Sequence, residues 1–268
     1  MTETMLKVYE IKGSGPPPDA PPQGLEGIWP EPPFYYLFYR KDPCGLLSQW
    51  LGSHTGWSLT GHYELPYEKW QDIPAREISL GLFDILIAKD LPGRPGRIKI
   101  LMDPGVVFGS GLHPTTQGCL LAISQIFRTD PVKTALDFGT GTGILAIACA
   151  LAGARLVAAV DRNPMAVRNA AKNATVNGVS ERVVLAQAQE LGCLNLCPDF
   201  LVINVEWPIL EKILATGQWR NAKRAVLAGF LPSKLEEVKK FALPGFEVRQ
   251  VLEVQGWPTV ILSKTLAL

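Results

Sequence analysis

The stretch Thr134–Gly178, TALDFGTGTGILAIACALAGARLVAAVDRNPMAVRNAAKNATVNG, decides how this chain folds. Ala135, Leu136 and Phe138 form a short apolar run of the kind a buried parallel strand shows. Gly139, Gly141 and Gly143 follow as a loop without Cβ atoms, against which a ligand can lie on bare backbone. Ile144 to Leu151 read as an Ala/Leu/Ile helix whose first N–H groups point at that loop. Leu156 to Val160 predict the next strand, with Asp161 at its carboxyl end. Asn163 and Pro164 open a second helix as N-cap and first residue, and Asn177-Gly178 close it. Ligands of open α/β sheets bind outside the carboxyl ends of the strands, so the loop and Asp161 mark a cofactor site.

Spacing narrows the cofactor. A dinucleotide fingerprint, G-x-G-x-x-G, would put glycine or alanine at position 144, which is Ile144. No G-K-S/T follows, which removes a phosphate-cradling P-loop. The pattern is G-x-G-x-G, the loop of S-adenosylmethionine (SAM) methyltransferases, whose ligand carries no pyrophosphate. Asp161, 22 residues after Gly139, stands where an acid can accept both ribose hydroxyls. The bland alternative is a glycine-rich turn beside a surface aspartate; strand, helix and acid in register argue against it.

Composition sets the outer bounds. The 268 residues suffice for one large domain, or one domain with a small companion. Hydrophobic content of 47% against 19% charged residues describes a globular chain with ample core. A net charge of +1 gives no electrostatic reason to expect nucleic acid as a partner. The five cysteines, at 44, 119, 149, 193 and 197, form no disulfide framework. Cys193 and Cys197 lack a neighbouring histidine, so no metal is expected there. Met1–Glu10 carries no signal-peptide pattern and no apolar run reaches spanning length, so no membrane association and a cytoplasmic location are expected.

Outside the opening unit, residues 13–33 hold eight prolines and predict an extended linker or a clamp over the surface. Phe34–Tyr39 and Gly56–Leu65 read as strands around a helix begun by Asp42-Pro43, with Leu46, Leu47 and Trp50 on its packed side, giving a small βαβ-like unit. Tyr67–Pro74 reads as a connector. Ile85–Ala88 and Ile98–Leu101 are short strands around LPGRPG. Met102–Thr116, MDPGVVFGSGLHPTT, leads into a helix from about Pro114 to Phe127 with Leu120, Ile123 and Phe127 on one face. Thr115 and Thr116 either cap that helix or belong to a lid over the cofactor; His113 is a structural residue or a base. Strands then follow at Arg182–Ala186, Asp199–Ile203 and Ala225–Ala228. Helices are predicted at Lys212–Trp219 and Leu235–Phe241. Val248–Val254 and Pro258–Ser263 close the chain as an antiparallel hairpin.

In order, MDPGVVFGSGLHPTT, LDFGTGTGILAIA, VDRNPMAVRNAAKNATVNGV, INVEWPIL, AGFL and the terminal hairpin resemble the bacterial ribosomal protein L-eleven methyltransferases from about Tyr63 onward. The resemblance implies an α/β fold, a Rossmann-like seven-stranded SAM-dependent methyltransferase domain at 71–268, behind a small α+β substrate-recognition domain within 1–70. It implies cofactor contacts from Thr116, Gly139, Asp161 and Asn204; the glycine loop adds Gly141 to the expected cofactor contacts, and Asn204, placed to orient an acceptor amine, is the expected catalytic residue. It implies transfer of methyl groups to amines of a protein substrate, a large-subunit ribosomal protein. Two departures stand out. The first half of the family's N-terminal domain is here the proline-rich segment, and the family's N-I-L-A-G-P-L is here NVEWPIL. Glu206 reads as a base or a rim carboxylate, and Trp207 as an acceptor wall or core packing. A paralogous methyltransferase with another protein or small-molecule acceptor, or a SAM-binding protein without catalysis, stays open.

Overall fold

The structure, a computed structural model, describes residues 5–15, 17–18, 21–31, 33–43, 45–66, 77–87, 93–103, 113–191, 197–242 and 245–265. The chain divides into two compact units, Met1–Pro74 and Ala75–Leu268.

In the first unit, strands β1 (Met5–Lys12), β2 (Leu25–Glu31), β3 (Phe34–Tyr39) and β4 (Ser58–Pro66) form a sheet of order β2-β3-β1-β4, with helix α1 (Gly45–Gly52) between β3 and β4 in sequence. β1 is antiparallel to both β3 and β4, so those two run parallel with β1 inserted between them. The expected βαβ-like unit is therefore present, split by a strand that the sequence reading passed over. Tyr9, Ile11, Tyr35, Leu37 and Tyr39 pack on Leu47 and Leu51 of α1. Leu46, expected on that face, is 55% exposed; Leu51 takes the position one turn beyond Leu47 instead. The proline-rich stretch also departs from a plain linker, because its C-terminal part is β2. That strand lies at the sheet edge, paired with β3 on one side, a place in a sheet that tolerates proline. The stretch before it is tied down, with Gly13 N donating to Pro33 O at 3.0 Å and the Tyr35 hydroxyl to Gly15 O at 2.5 Å. The connector Tyr67–Pro74 lies outside the described residues.

The second unit opens with β5 (Glu77–Leu80), β6 (Phe83–Leu86) and β7 (Ile98–Leu101), β6 being antiparallel to β5 and parallel to β7. Asp84, fully buried, organises the turn between β6 and β7: its carboxylate accepts from Ser79 Oγ, Arg94 N and the Arg97 guanidinium. Burial alone would raise its pKa, but these donors outweigh it and leave the carboxyl below its ordinary value.

The main sheet follows. Its elements are α2 (Pro114–Thr129), β8 (Thr134–Phe138), α3 (Ile144–Ala152), β9 (Leu156–Asp161), α4 (Pro164–Val176), β10 (Val183–Gln187), β11 (Phe200–Asn204), α5 (Trp207–Thr216), β12 (Arg224–Ala228), α6 (Leu235–Ala242), β13 (Phe246–Val254) and β14 (Trp257–Lys264). The order is β10-β9-β8-β11-β12-β14-β13, with β8 to β12 parallel and the terminal hairpin reversing at β14. Leaving β8, the chain winds outward through β9 and β10, then returns to β8's other side at β11. The crevice of such a sheet opens between β8 and β11. α3 is apolar throughout, and its residues Ile144 to Ala150 are all buried, as a helix beneath a doubly wound sheet must be.

One boundary moved. The helix expected at Lys212–Trp219 begins at Trp207 and stops at Thr216. Pro208 is preorganised for a helix's first turn, and Gly217, at φ 70°, ends it. Trp219 falls in a following 3-10 turn, buried against Phe246.

At the amino ends of the central strands, Asp199 sets their alignment. It accepts from Lys133 N at 2.9 Å, Thr134 N at 3.0 Å and Lys223 Nζ at 2.7 Å. Burial opposes its charge, yet Lys223 and the two N–H groups draw the carboxyl down to about 2. Its stabilisation is present above the unfolded value of 3.8 and is lost as pH falls through about 2. Asp199→Ala should cost about 2 kcal/mol at pH 7, and the gap should close toward pH 2 in urea melts. Equal loss at both pH values overturns this account.

Candidate functional site

The glycine loop hangs from the end of β9. Gly139 N and Thr140 N both donate to Val160 O at 2.9 Å, and Gly143 N closes the turn on Thr140 O at 2.8 Å. Gly139, Gly141 and Gly143 have φ of 79°, 54° and 84°, backbone that favours glycine. Two of them are also demanded by close approach. A Cβ on Gly139 would lie 2.4 Å from Val205 Cγ1, and one on Gly143 would lie 2.9 Å from Ala170 Cβ.

Asp161 joins this loop directly. Its Oδ2 accepts from Gly141 N at 2.9 Å and its Oδ1 from Asn163 N at 2.9 Å. The structure thus brings Gly139, Gly141 and Asp161 together, and gives Asp161 a task beyond the expected one, since it holds the loop itself. A carboxylate oxygen has two lone pairs, so each oxygen retains acceptor capacity for a ligand hydroxyl.

Thr116 and Asn204 form the second half of the site. Asn204, at the carboxyl end of β11, donates through Nδ2 to Thr116 Oγ1 at 3.2 Å. Thr116 is buried in the first turn of α2. Neither threonine is the cap of that helix: His113 is, its Nδ1 accepting from Thr115 N at 3.3 Å and lying 2.8 Å from Thr115 Oγ1. Burial lowers the His113 pKa, and its ring packs edge-on to Trp257. The structural reading of His113 fits this geometry. Of the segment Met102–Thr116, residues 104–112 lie outside the described residues, as does Cys193.

Three residues that sequence reasoning missed support the site. Asn173 of α4 donates from Nδ2 to Asp103 O at 3.0 Å and to Thr142 O at 2.9 Å, and accepts from Asp103 N at 3.0 Å. Asn177 brackets Leu101 in the same way. Their four-residue spacing on one helix face, N-x-x-x-N, was the available signal. The third is Asp137, buried at the end of β8. Its Oδ2 accepts from Thr140 Oγ1 at 2.6 Å and Ala146 N at 3.1 Å, bracing the loop against α3. Its Oδ1 has no hydrogen-bond partner among the described residues. Burial, helped by the nearby Asp161 charge and resisted by the Thr140 and Ala146 bonds, pushes the Asp137 carboxyl up to about 7.

At the rim, Glu206 is exposed and Trp207 half-buried. Trp207 packs against Phe230 and the main core, so the packing reading of that residue holds for part of its surface. Cys119 and Cys149 are buried and Cys197 is exposed, all unpaired. No helix among the described residues is long and apolar enough to cross a membrane.

Strand order, the reversed last pair and a glycine loop at the switch point define a class, the Rossmann-like seven-stranded fold of SAM-dependent methyltransferases. The sequence model of a family described as Ribosomal protein L11 methyltransferase (PrmA) matches residues 77–265. The chain belongs to that family. It is 35% identical over 167 residues to the Ribosomal protein L11 methyltransferase of Aquifex aeolicus, a match covering 62% of this chain and 65% of the relative. With its namesake from Streptococcus equi subsp. zooepidemicus, identity is 34% over 212 residues, 75% of this chain and 66% of the relative. Neither match reaches two thirds of the relative's own length. The crystal structure of a ribosomal protein L11 methylase from Lactobacillus delbrueckii subsp. bulgaricus superposes with a TM-score of 0.63 at 26% identity, covering 70% of this chain and 98% of that one.

Asp137 supplies a test of the site's electrostatics. The native carboxyl keeps its proton to about pH 7, whereas the unfolded chain releases it near 3.8. Between those values the native state binds more protons, so this group's contribution to stability falls as pH rises. Asp137→Asn removes that penalty. Relative to wild type, the variant should gain up to about 4 kcal/mol between pH 4 and pH 8 in urea melts. Parallel stability curves overturn the assignment.

Proposed function

We propose that this chain is a SAM-dependent N-methyltransferase acting on amino groups, lysine ε-amines or an α-amine, of ribosomal protein L11. The residues 1–70 segment serves as the substrate-recognition domain and 71–268 as the catalytic one. The observation that carries the reading is the placement of two polar constellations around one switch point. Gly139, Gly141 and Asp161 gather on the β8–β9 side, and the Thr116–Asn204 pair gathers at β11, in a member of the L11 methyltransferase family.

The site fits the cofactor chemically: bare glycine backbone admits an adenosyl group, and Asp161 offers acceptor lone pairs for ribose hydroxyls. SAM, when bound, supplies an electrophilic methyl on a sulfonium. Thr116, Gly139, Gly141, Asp161 and Asn204 are the residues assigned to hold it. The protein's remaining work is alignment and exclusion of water.

Asn204 is assigned the orienting role. Its Nδ2 is engaged by Thr116, which supports turning Oδ1 toward an amine N–H and so aiming the nitrogen lone pair. Neutralising a lysine of pKa near 10.4 at pH 7 costs about 4–5 kcal/mol, and an α-amine near 7.8 about 1 kcal/mol. Burial beside a cation reduces both costs. No strong protein base is needed, and the exposed Glu206 need not be one. The Glu206-Trp207 rim favours a second reading, in which the same chemistry serves a different protein or small-molecule acceptor.

Incubating the protein with methyl-labelled SAM and purified L11 decides between them. Label on L11 supports the first reading, and turnover only with other acceptors the second. Asp161→Ala should weaken SAM binding by about 1.5–3 kcal/mol in isothermal titration; unchanged affinity removes Asp161 from the site. Asn204→Ala should lower kcat about tenfold or more while SAM affinity moves less. Normal turnover in that variant refutes the orienting role.

A further inference from the structure

One corner of the sheet carries chemistry that the cofactor half leaves unused. Glu206 precedes α5 as its N-cap residue, exposed, and its side chain makes no capping bond. Trp207 follows at the first helical position. Phe230 packs against its ring at 6.4 Å and 68°, and the Lys234 ammonium stands 4.9 Å from its centroid, within cation–π range. Leu231, beside Phe230, is 55% exposed.

This corner is continuous with the glycine loop. Val205 fills the space a Gly139 Cβ would need, and the Val205 backbone lies where a Gly229 side chain would go, 2.1 Å from the carbonyl oxygen. The tips of β8, β11 and β12 therefore converge on Val205. With the glycine loop, Asp161 and Asn204 assigned to the cofactor, the rim beyond Val205, between β11 and β12, is left for the acceptor.

An exposed carboxylate, an aromatic ring and an exposed aliphatic side chain suit one ligand chemistry, a protonated amine on an alkyl stem. The carboxylate draws the charge in and the ring's quadrupole seats the ammonium on arrival; this is a recognition seat, and the amine leaves it and loses its proton before transfer. The ring already carries such a group. Lys234 is an alkylammonium, steadied by Glu237 at 2.8 Å and facing the charge of Glu211.

We propose that Trp207 is a specificity-determining residue that receives the acceptor's alkylammonium on the ring face covered by Lys234, making Lys234 a built-in competitor for that seat. The inference rests on the methyltransferase reading. It adds that this chain's NVEWPIL rim selects cationic aliphatic acceptors and carries its own occupant.

Two variants should move in opposite directions. With L11 as acceptor, Trp207→Leu should raise KM for L11 about two- to thirty-fold, the range a cation–π contact spans. Lys234→Met should lower it about two- to tenfold, because the seat is vacated. A pair that only packs would shift both variants the same way. A raised KM in Lys234→Met, or an unchanged one in Trp207→Leu, overturns the proposal. A binding readout separates it from the functional reading. The protein is labelled with 5-fluorotryptophan, the Trp207 signal is identified by its loss in Trp207→Phe, and n-butylammonium chloride is titrated against sodium chloride. The expected result is a saturable shift of that signal by butylammonium alone, at lower concentration in Lys234→Met than in wild type. No shift in Lys234→Met overturns the proposal even if L11 is methylated. A shift without labelling of L11 upholds the seat and removes the L11 reading.

Discussion

Asp161 bridges Gly141 N and Asn163 N with its two oxygens, and the arrangement of the ligand-facing backbone depends on that bridge. Three glycines with positive φ have no side chains to hold them and lose more freedom on ordering than any other residue. Without an external anchor the loop would sample many shapes. Asp161 provides the anchor from the neighbouring strand, and Asp137 provides a second from beneath through Thr140 and Ala146. Asn173 adds a third by taking Thr142 O into its own hydrogen-bond set. A loop pinned from three directions presents bare backbone as a fixed surface, which reduces the ordering cost a ligand would otherwise meet.

Asp199 and Asp137 show how environment, not residue type, sets a carboxyl's behaviour. Asp199 lies at the amino ends of the strands, faces Lys223 and two N–H groups, and ionises easily. Asp137 lies near the carboxyl ends with no cation beside it, buried against apolar helices and within reach of the Asp161 charge, and resists ionisation. The two ends of one strand are thereby made different. The amino end is locked by a fixed charge, and the end that would meet a cationic ligand holds a carboxyl whose charge depends on its surroundings.

Much of the main sheet was legible because its signals are local. The short runs 135–138, 156–160, 199–203 and 225–228 read as strands of a buried parallel sheet, and Asn163-Pro164 and Asn177-Gly178 punctuated α4 where they stand. What escaped was decided by distant partners. β1 alternates Leu6, Val8 and Ile11 with Lys7, Glu10 and Lys12 in part only, and its place in mid-sheet comes from β3 and β4. β2 was hidden by Pro30 and by the prolines on either side of the strand; an edge strand tolerates proline and a central one does not. Of the residues proposed for the site, motif and resemblance name Thr116, Gly139, Gly141, Asp161 and Asn204, and the structure brings Asp161 onto Gly141 and Asn204 onto Thr116. Asn173 and Asp137 were not legible, because their importance lies in atoms contributed by Asp103, Thr142 and Ala146, up to 70 residues away in the chain.

The departure at NVEWPIL acquires a physical meaning from Val205. Its side chain limits Gly139 and its backbone limits Gly229, so the segment cannot shift at that point without disturbing the glycine loop. The residues just beyond are not under that constraint: Pro208 starts α5, with Glu206 and Trp207 at the rim. Trp207 keeps part of its ring in the core through Phe230 and offers the remainder to a cation, a division an indole accommodates better than a smaller ring because it is both large and strongly quadrupolar. Packing on Val205 thus ties down the side of the segment that meets the glycine loop, and Glu206, exposed beyond it, lies outside that constraint. A substitution at Glu206 therefore requires no change in the loop that Asp161 anchors.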